Sequence, residues 1–130
     1  MNPELNKKKY RERFVEAFIR QGIAFQIQML RKREGWSQKK LGELTSKKAN
    51  AITRLEDPSY GKFTVTTLLE LAKAFDVALS VRFVPFSQLE RQSSDLSPES
   101  VTVARYKDEN PSAAGRTEPG NDKSPSRAGS

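Results

Sequence analysis

The stretch from Trp36 to Pro58, WSQKKLGELTSKKANAITRLEDP, decides how the rest of the chain is read. Just ahead of it, Gly35 can take the left-handed backbone that closes a preceding helix. Ser37 stands as an N-cap, its hydroxyl able to accept from an amide of the first helical turn. Trp36 and Leu41 fit a hydrophobic staple across that cap. Leu41 and Leu44 give a short apolar stripe. A tight turn is expected near Ser46, then a second helix from Lys47 to Glu56 with Ile52 and Leu55 facing inward. Gly42 in mid-helix costs about 1 kcal/mol relative to alanine, which makes sense if the second helix crosses closely there. Two short helices joined by such a turn form a helix-turn-helix, a unit that sets its second helix into the DNA major groove.

The spacing of Gln38, Leu41, Gly42, Ile52, Arg54, Leu55 and Glu56 resembles the Cro and phage-repressor type of helix-turn-helix regulator, over about Gly22 to Phe86. The resemblance implies a mostly α fold, a lambda-repressor-like helical bundle. It also implies a sequence-specific regulator of double-stranded DNA, expected to act as a repressor and not as an enzyme. An antitoxin, which binds operator DNA and also masks a toxin protein, is the alternative on the same fold. Three positions depart from the pattern: Ser46 replaces the usual turn glycine, Lys47 an apolar residue, and Asp57 a common asparagine. Ser46 is expected to strain a backbone that needs positive φ, and Lys47 to add charge toward the groove.

Carried onto this chain, the base-reading positions are Lys48, Ala49, Asn50 and Arg54, with Thr53 on the same exposed edge. Asn50 suits paired bonds to adenine, Arg54 or Lys48 the O6 and N7 edge of guanine, and Ala49 a thymine methyl. Arg54 has a second reading, an ion pair with Glu56 or Asp57. Gln38 matches the family position that contacts a phosphate, where a helix N-terminus also suits an anion. Ser37, Lys39, Lys47, Tyr60 and Lys62 are further phosphate candidates. Glu56 resembles the family's inward-facing acid and reads as structural.

Charge agrees with a nucleic-acid partner. The chain carries +7 overall; residues 1–92 hold 18 basic against 10 acidic side chains, and residues 93–130 hold 5 against 6. The excess positive charge thus lies in the part expected to fold, as suits a body that meets phosphates. With no Cys and no His, disulfides, thiol nucleophiles, Cys or His zinc sites and His acid–base catalysis are excluded. No spaced carboxylate cluster suggests an enzyme, and neither metal nor cofactor is expected. No apolar run has the length of a membrane helix; a soluble, cytoplasmic protein is expected.

The chain as a whole divides into four parts. Residues 1–21 read as a helical extension, with Tyr10, Phe14, Ala17 and Phe18 on one face; Gly22 is expected to kink or break the helix. The run Lys7–Lys9 with Arg11 and Arg13 reads as a solvated face, with DNA backbone contact as the alternative. Residues 22–76 form the DNA-binding domain. It ends with a helix capped by Thr64 and striped by Val65, Leu68, Leu69, Ala72 and Phe75. Residues 77–92 hold a strand, with Leu79, Val81 and Phe83 alternating, and then a helical turn. A lone strand needs a partner. Pairing across a two-fold axis would make Leu79, Val81 and Phe83 the dimer contact of a homodimer; the rival is pairing with Val101–Tyr106 in the same chain. In residues 93–130, Ser, Pro and Gly supply 15 of 38 residues, and a disordered tail is expected.

Overall fold

The computed structural model describes residues 1–95 and 97–110. A 3-10 turn at Pro3–Asn6 leads into seven α-helices: α1 (Lys8–Glu34), α2 (Gln38–Leu44), α3 (Ala49–Leu55), α4 (Val65–Phe75), α5 (Phe86–Ser93), α6 (Pro98–Val101) and α7 (Tyr106–Glu109). The core is one cluster to which four helices contribute: Ile27 and Leu30 from α1, Leu41 from α2, Ile52 and Leu55 from α3, and Leu68, Leu71 and Phe75 from α4. Trp36 closes one end, its ring stacked on Phe75 with centroids 5.9 Å apart.

The local signals act where the sequence places them. Gly35 ends α1 at φ 74°, and the amide of Trp36 reaches back to the Arg31 carbonyl at 3.2 Å, the bonding of a Schellman cap. Ser37 Oγ accepts from the Lys40 amide at 2.9 Å, and Thr64 Oγ1 from the Thr67 amide at 3.1 Å. Helix α4 turns differently from its expected stripe. Leu71 is buried beside Leu68, Ala72 and Phe75, while Val65 and Leu69 are exposed. Both choices satisfy a three-four spacing, and the burial of Leu71 rotates the stripe away from Leu69.

Gly22 does not break α1, which runs unbroken through it. A single glycine costs a helix about 1 kcal/mol, and packing on both halves outweighs it. Ile23, Ala24, Ile27 and Leu30 serve the core, and the first half has its own cover. There Leu5 and Leu89 are buried. The Arg11 guanidinium donates to the Leu5 carbonyl at 3.0 Å and lies 5.9 Å from the centre of the Phe86 ring. The Asn2 amide donates to Glu90 Oε2 at 2.6 Å. Helix α5 therefore folds back beside the N-terminus.

The expected strand at 79–84 is overturned: among the described residues there is no strand. Residues 77–85 lack regular structure, with Val81 and Phe83 exposed, and residues 78–84 form no backbone–backbone hydrogen bond among the described residues. The rival partner, Val101–Tyr106, is used elsewhere. Val101 is buried and its carbonyl accepts from Gln26 Nε2 at 2.9 Å. The Val103 carbonyl accepts from Arg33 Nη1. Arg105 Nη1 reaches Glu34 at 3.2 Å, and the Tyr106 amide donates to the Asp76 carbonyl at 2.9 Å. Residues 101–106 are thus a strap from α1 to the end of α4. The expectation of a structureless tail from Ser93 is corrected for residues 97–110, where buried Val101 and these bonds offset the ordering entropy. The rest of that expectation, Leu96 and residues 111–130, lies outside the described residues.

Candidate nucleic-acid interface

The turn between α2 and α3 sets how the second helix is presented. Ser46 has φ 57°, in the left-handed region, where an L-residue is strained by roughly 1–2 kcal/mol. A Cβ built on Gly42 would lie 2.4 Å from the Lys47 carbonyl oxygen. The Lys47 amide also donates to the Gly42 carbonyl at 2.7 Å. The close neighbour of Gly42 is therefore the turn backbone, rather than the body of the second helix as the sequence suggested. Helix α3 begins at Ala49, later than the expected Lys47, and Lys48 holds the N-cap position with extended backbone.

Helix α3 buries Ile52 and Leu55 and leaves Lys48, Ala49, Asn50, Thr53 and Arg54 exposed. All five expected base-reading side chains therefore share the outer edge. Arg54 makes no ion pair or hydrogen bond among the described residues. Neither candidate partner is available to it. Glu56 is taken by Arg31, and Asp57 Oδ1 accepts from the Ser59 amide at 2.9 Å and from its hydroxyl at 2.8 Å. The Ser59 amide first, and then its hydroxyl, hold the Asp57 pKa below the ordinary carboxylate value.

Beneath this edge a polar bracket joins three helices. Arg31, near the end of α1, donates through Nε to Glu56 Oε2 at 2.6 Å and through Nη2 to Oε1 at 3.0 Å. Its Nη1 donates to the Trp36 carbonyl at 2.8 Å. Only 12% of the Arg31 side chain and 5% of the Glu56 side chain are accessible, so the pair has the two-pronged, dry geometry in which a guanidinium and a carboxylate bind strongly. The hydrogen bond to Glu56 raises the Arg31 pKa above its ordinary value despite desolvation. Glu56 Oε1 also accepts from Gln38 Nε2 at 3.1 Å, and Thr53 Oγ1 donates to Gln38 Oε1 at 2.7 Å.

The phosphate candidates separate by what else they do. Lys39 and Lys62 are exposed and unpaired among the described residues. Ser37 is exposed with its oxygen capping α2, and Tyr60 is half-buried. Gln38 is half-buried in the bracket, which leaves one hydrogen of its amide group for an anion. Lys47 points away from the expected groove, its Nζ 2.6 Å from Glu70 Oε1 on α4. Arg31 was not singled out by sequence, although a buried acid at Glu56 demands a cation. Lys40, exposed beside Lys39, was also missed. Leu79 packs against the core, while Val81 and Phe83 stay outward.

A short helix held on its apolar side, with a polar and cationic edge facing out, is the architecture of a DNA-binding helix-turn-helix protein. Residues 27–81 match the helix-turn-helix family model. That segment matches the Cro and phage-repressor type of the family, which supports a DNA-binding regulator in general. Such domains are typically not enzymes. No curated protein and no solved structure matches the chain. No described helix is long and apolar enough to cross a membrane, and no described group of His, Cys, Asp or Glu could hold a metal ion.

Proposed function

We propose that the protein reads a specific double-stranded DNA operator with α3 and represses genes beside it. The observation that carries this reading is the division of α3: Ile52 and Leu55 buried, Lys48, Ala49, Asn50, Thr53 and Arg54 exposed, and Arg54 unpaired among the described residues. Asn50 pairs with an adenine edge, Arg54 or Lys48 with guanine, and Ala49 with a thymine methyl. Lys39, Lys62, Tyr60, Ser37 and the remaining amide hydrogen of Gln38 meet phosphates, which makes affinity fall steeply with salt. Lys47 belongs to the Glu70 pair and is left out of this set.

The protein acts on a roughly palindromic site as a two-fold dimer, with recognition helices about 34 Å apart. The exposed Val81 and Phe83 supply an apolar edge for the second copy. A toxin protein on the same edge is the antitoxin reading. Sedimentation of the purified chain, and of the chain expressed with its neighbouring gene product, separates the two.

Selection of bound duplexes from random DNA tests the reading. A recurring site with two-fold symmetry is expected. On that site Asn50→Ala costs about 1–3 kcal/mol and relaxes one base position. Equal losses on selected and random duplexes would reject base reading by Asn50.

A further inference from the structure

Helix α1 begins well before the matched segment, and its first half carries a row of cations on the side of the DNA-binding body. Lys9, Arg13 and Arg20 lie 18, 14 and 7 residues before Ile27, separations close to whole numbers of helical turns. The three therefore continue the face through which Ile27 joins the core, a face that also carries the single acid Glu16 between Arg13 and Arg20. The opposite face of this half is occupied: Tyr10, Arg11, Phe14 and Phe18 are half-buried there, and the N-terminal turn and α5 supply buried Leu5 and Leu89. Lys9, Arg13 and Arg20 are exposed, and Lys9 and Arg13 have no partner among the described residues. Arg20 stands 4.0 Å from Glu16 with both side chains about half accessible or more, a contact worth little in water.

The row adjoins the loop that leaves the recognition helix. A Cβ on Gly61 would lie 2.7 Å from Arg20 Nε. Arg13 and Arg20, with Glu16, Ala17 and Gln21 between and beside them, form one wall of an open cleft of about 480 Å³ whose other wall is Asp57, Pro58 and Ser59. The Asp57 carboxylate in that wall is held by Ser59. From Arg20 to Lys9 the row extends about 17 Å at the rise of an α-helix. It starts at Arg20, beside the Gly61 loop that carries Tyr60 and Lys62, and follows α1 toward its N-terminus. Cations spaced along a rod, on a helix other than the one read as entering the groove, fit the sugar–phosphate chain.

We infer that Lys9, Arg13 and Arg20 form a second DNA contact, on backbone phosphates flanking the base-read site. The inference rests on the DNA-binding reading and extends the footprint beyond α3. The test compares two duplexes carrying the selected site, one trimmed to that site and one with flanking base pairs on both sides. The intact protein should prefer the longer duplex and show a steeper salt dependence on it. Lys9→Gln with Arg13→Gln, two exposed positions whose loss leaves the fold alone, should remove that preference. The slope of log affinity against log salt on the longer duplex should flatten by about 2, one for each phosphate that the variant no longer neutralises. The ranking of operator variants should stay unchanged. Adding Arg20→Gln, with thermal unfolding as a check on the Gly61 loop, should flatten the slope further.

An unchanged slope and length preference in the double variant, with Asn50→Ala still losing specificity, would overturn the flanking contact and spare base reading. A changed base preference in the double variant would also overturn it. Failure of the intact protein to bind either duplex would overturn both readings.

Discussion

Residues 38–56 and residues 77–85 both carry apolar side chains in a regular pattern, yet only the first stretch becomes regular structure. In the first, the pattern is backed by polar closure. Ser37 caps α2, the Gly42 carbonyl receives the Lys47 amide, and Glu56 joins Arg31 and Gln38. In the second, Leu79, Val81 and Phe83 alternate as a strand would, but no second strand among the described residues meets residues 78–84. The core captures Leu79 and leaves Val81 and Phe83 in solvent. Periodicity thus states which side chains seek burial; the backbone's own donors and acceptors decide whether an element forms.

The contrast can be broken most sharply at Glu56. Glu56→Ala strands the Arg31 guanidinium in a nearly dry site and frees Gln38, and the loss should be about 3–5 kcal/mol. Urea unfolding measures it, and a loss below about 1 kcal/mol would mean that the bracket is not what secures α3. A smaller effect is expected from Gly42→Ala. Its new Cβ meets the Lys47 carbonyl at 2.4 Å, and overpacking against backbone costs about 1–3 kcal/mol. Calorimetry should show a melting point lower by several degrees. Ser46→Gly acts in the opposite direction: relief of left-handed strain, partly cancelled by a freer unfolded chain, should stabilise by about 0.5 kcal/mol with DNA affinity unchanged. The smallest effect sharpens the other side of the comparison. Phe83→Ser should leave the stability of the monomer within about 0.5 kcal/mol while weakening self-association in sedimentation. A large loss of monomer stability would show that residues 77–85 are packed after all.

What the sequence disclosed follows the range of the interaction that matters. Ser37, Thr64 and Gly35 act within a few residues of themselves, so their capping roles are legible from neighbours alone. The inward Ile52 and Leu55 and the outward Lys48, Asn50 and Arg54 follow from one helical turn. The bracket is not local: Arg31 and Glu56 are 25 residues apart, and only the inward acid hints that a cation must come. Lys47 reads as a groove-facing cation until Glu70, a full helix later, takes it. The phase of α4 is ambiguous because its run of apolar residues allows two stripes, and the packed core selects Leu71 over Leu69. The alternation of Val101–Tyr106 marks it as a stretch that can pair, but not as a strap: buried Val101 and the carbonyls of Val101 and Val103 are met by α1 and not by a strand.

The turn between α2 and α3 also says how this sequence can drift over generations. Position 46 is tolerant, since serine already occupies it at a modest cost and a return to glycine would relieve that cost. Position 42 has less latitude, because any side chain there meets a peptide oxygen of the turn, which must shift to admit it. Descendants of this chain should therefore vary at the first site and stay fixed at the second, and a lineage that loses the glycine should be found to have remade the turn around it.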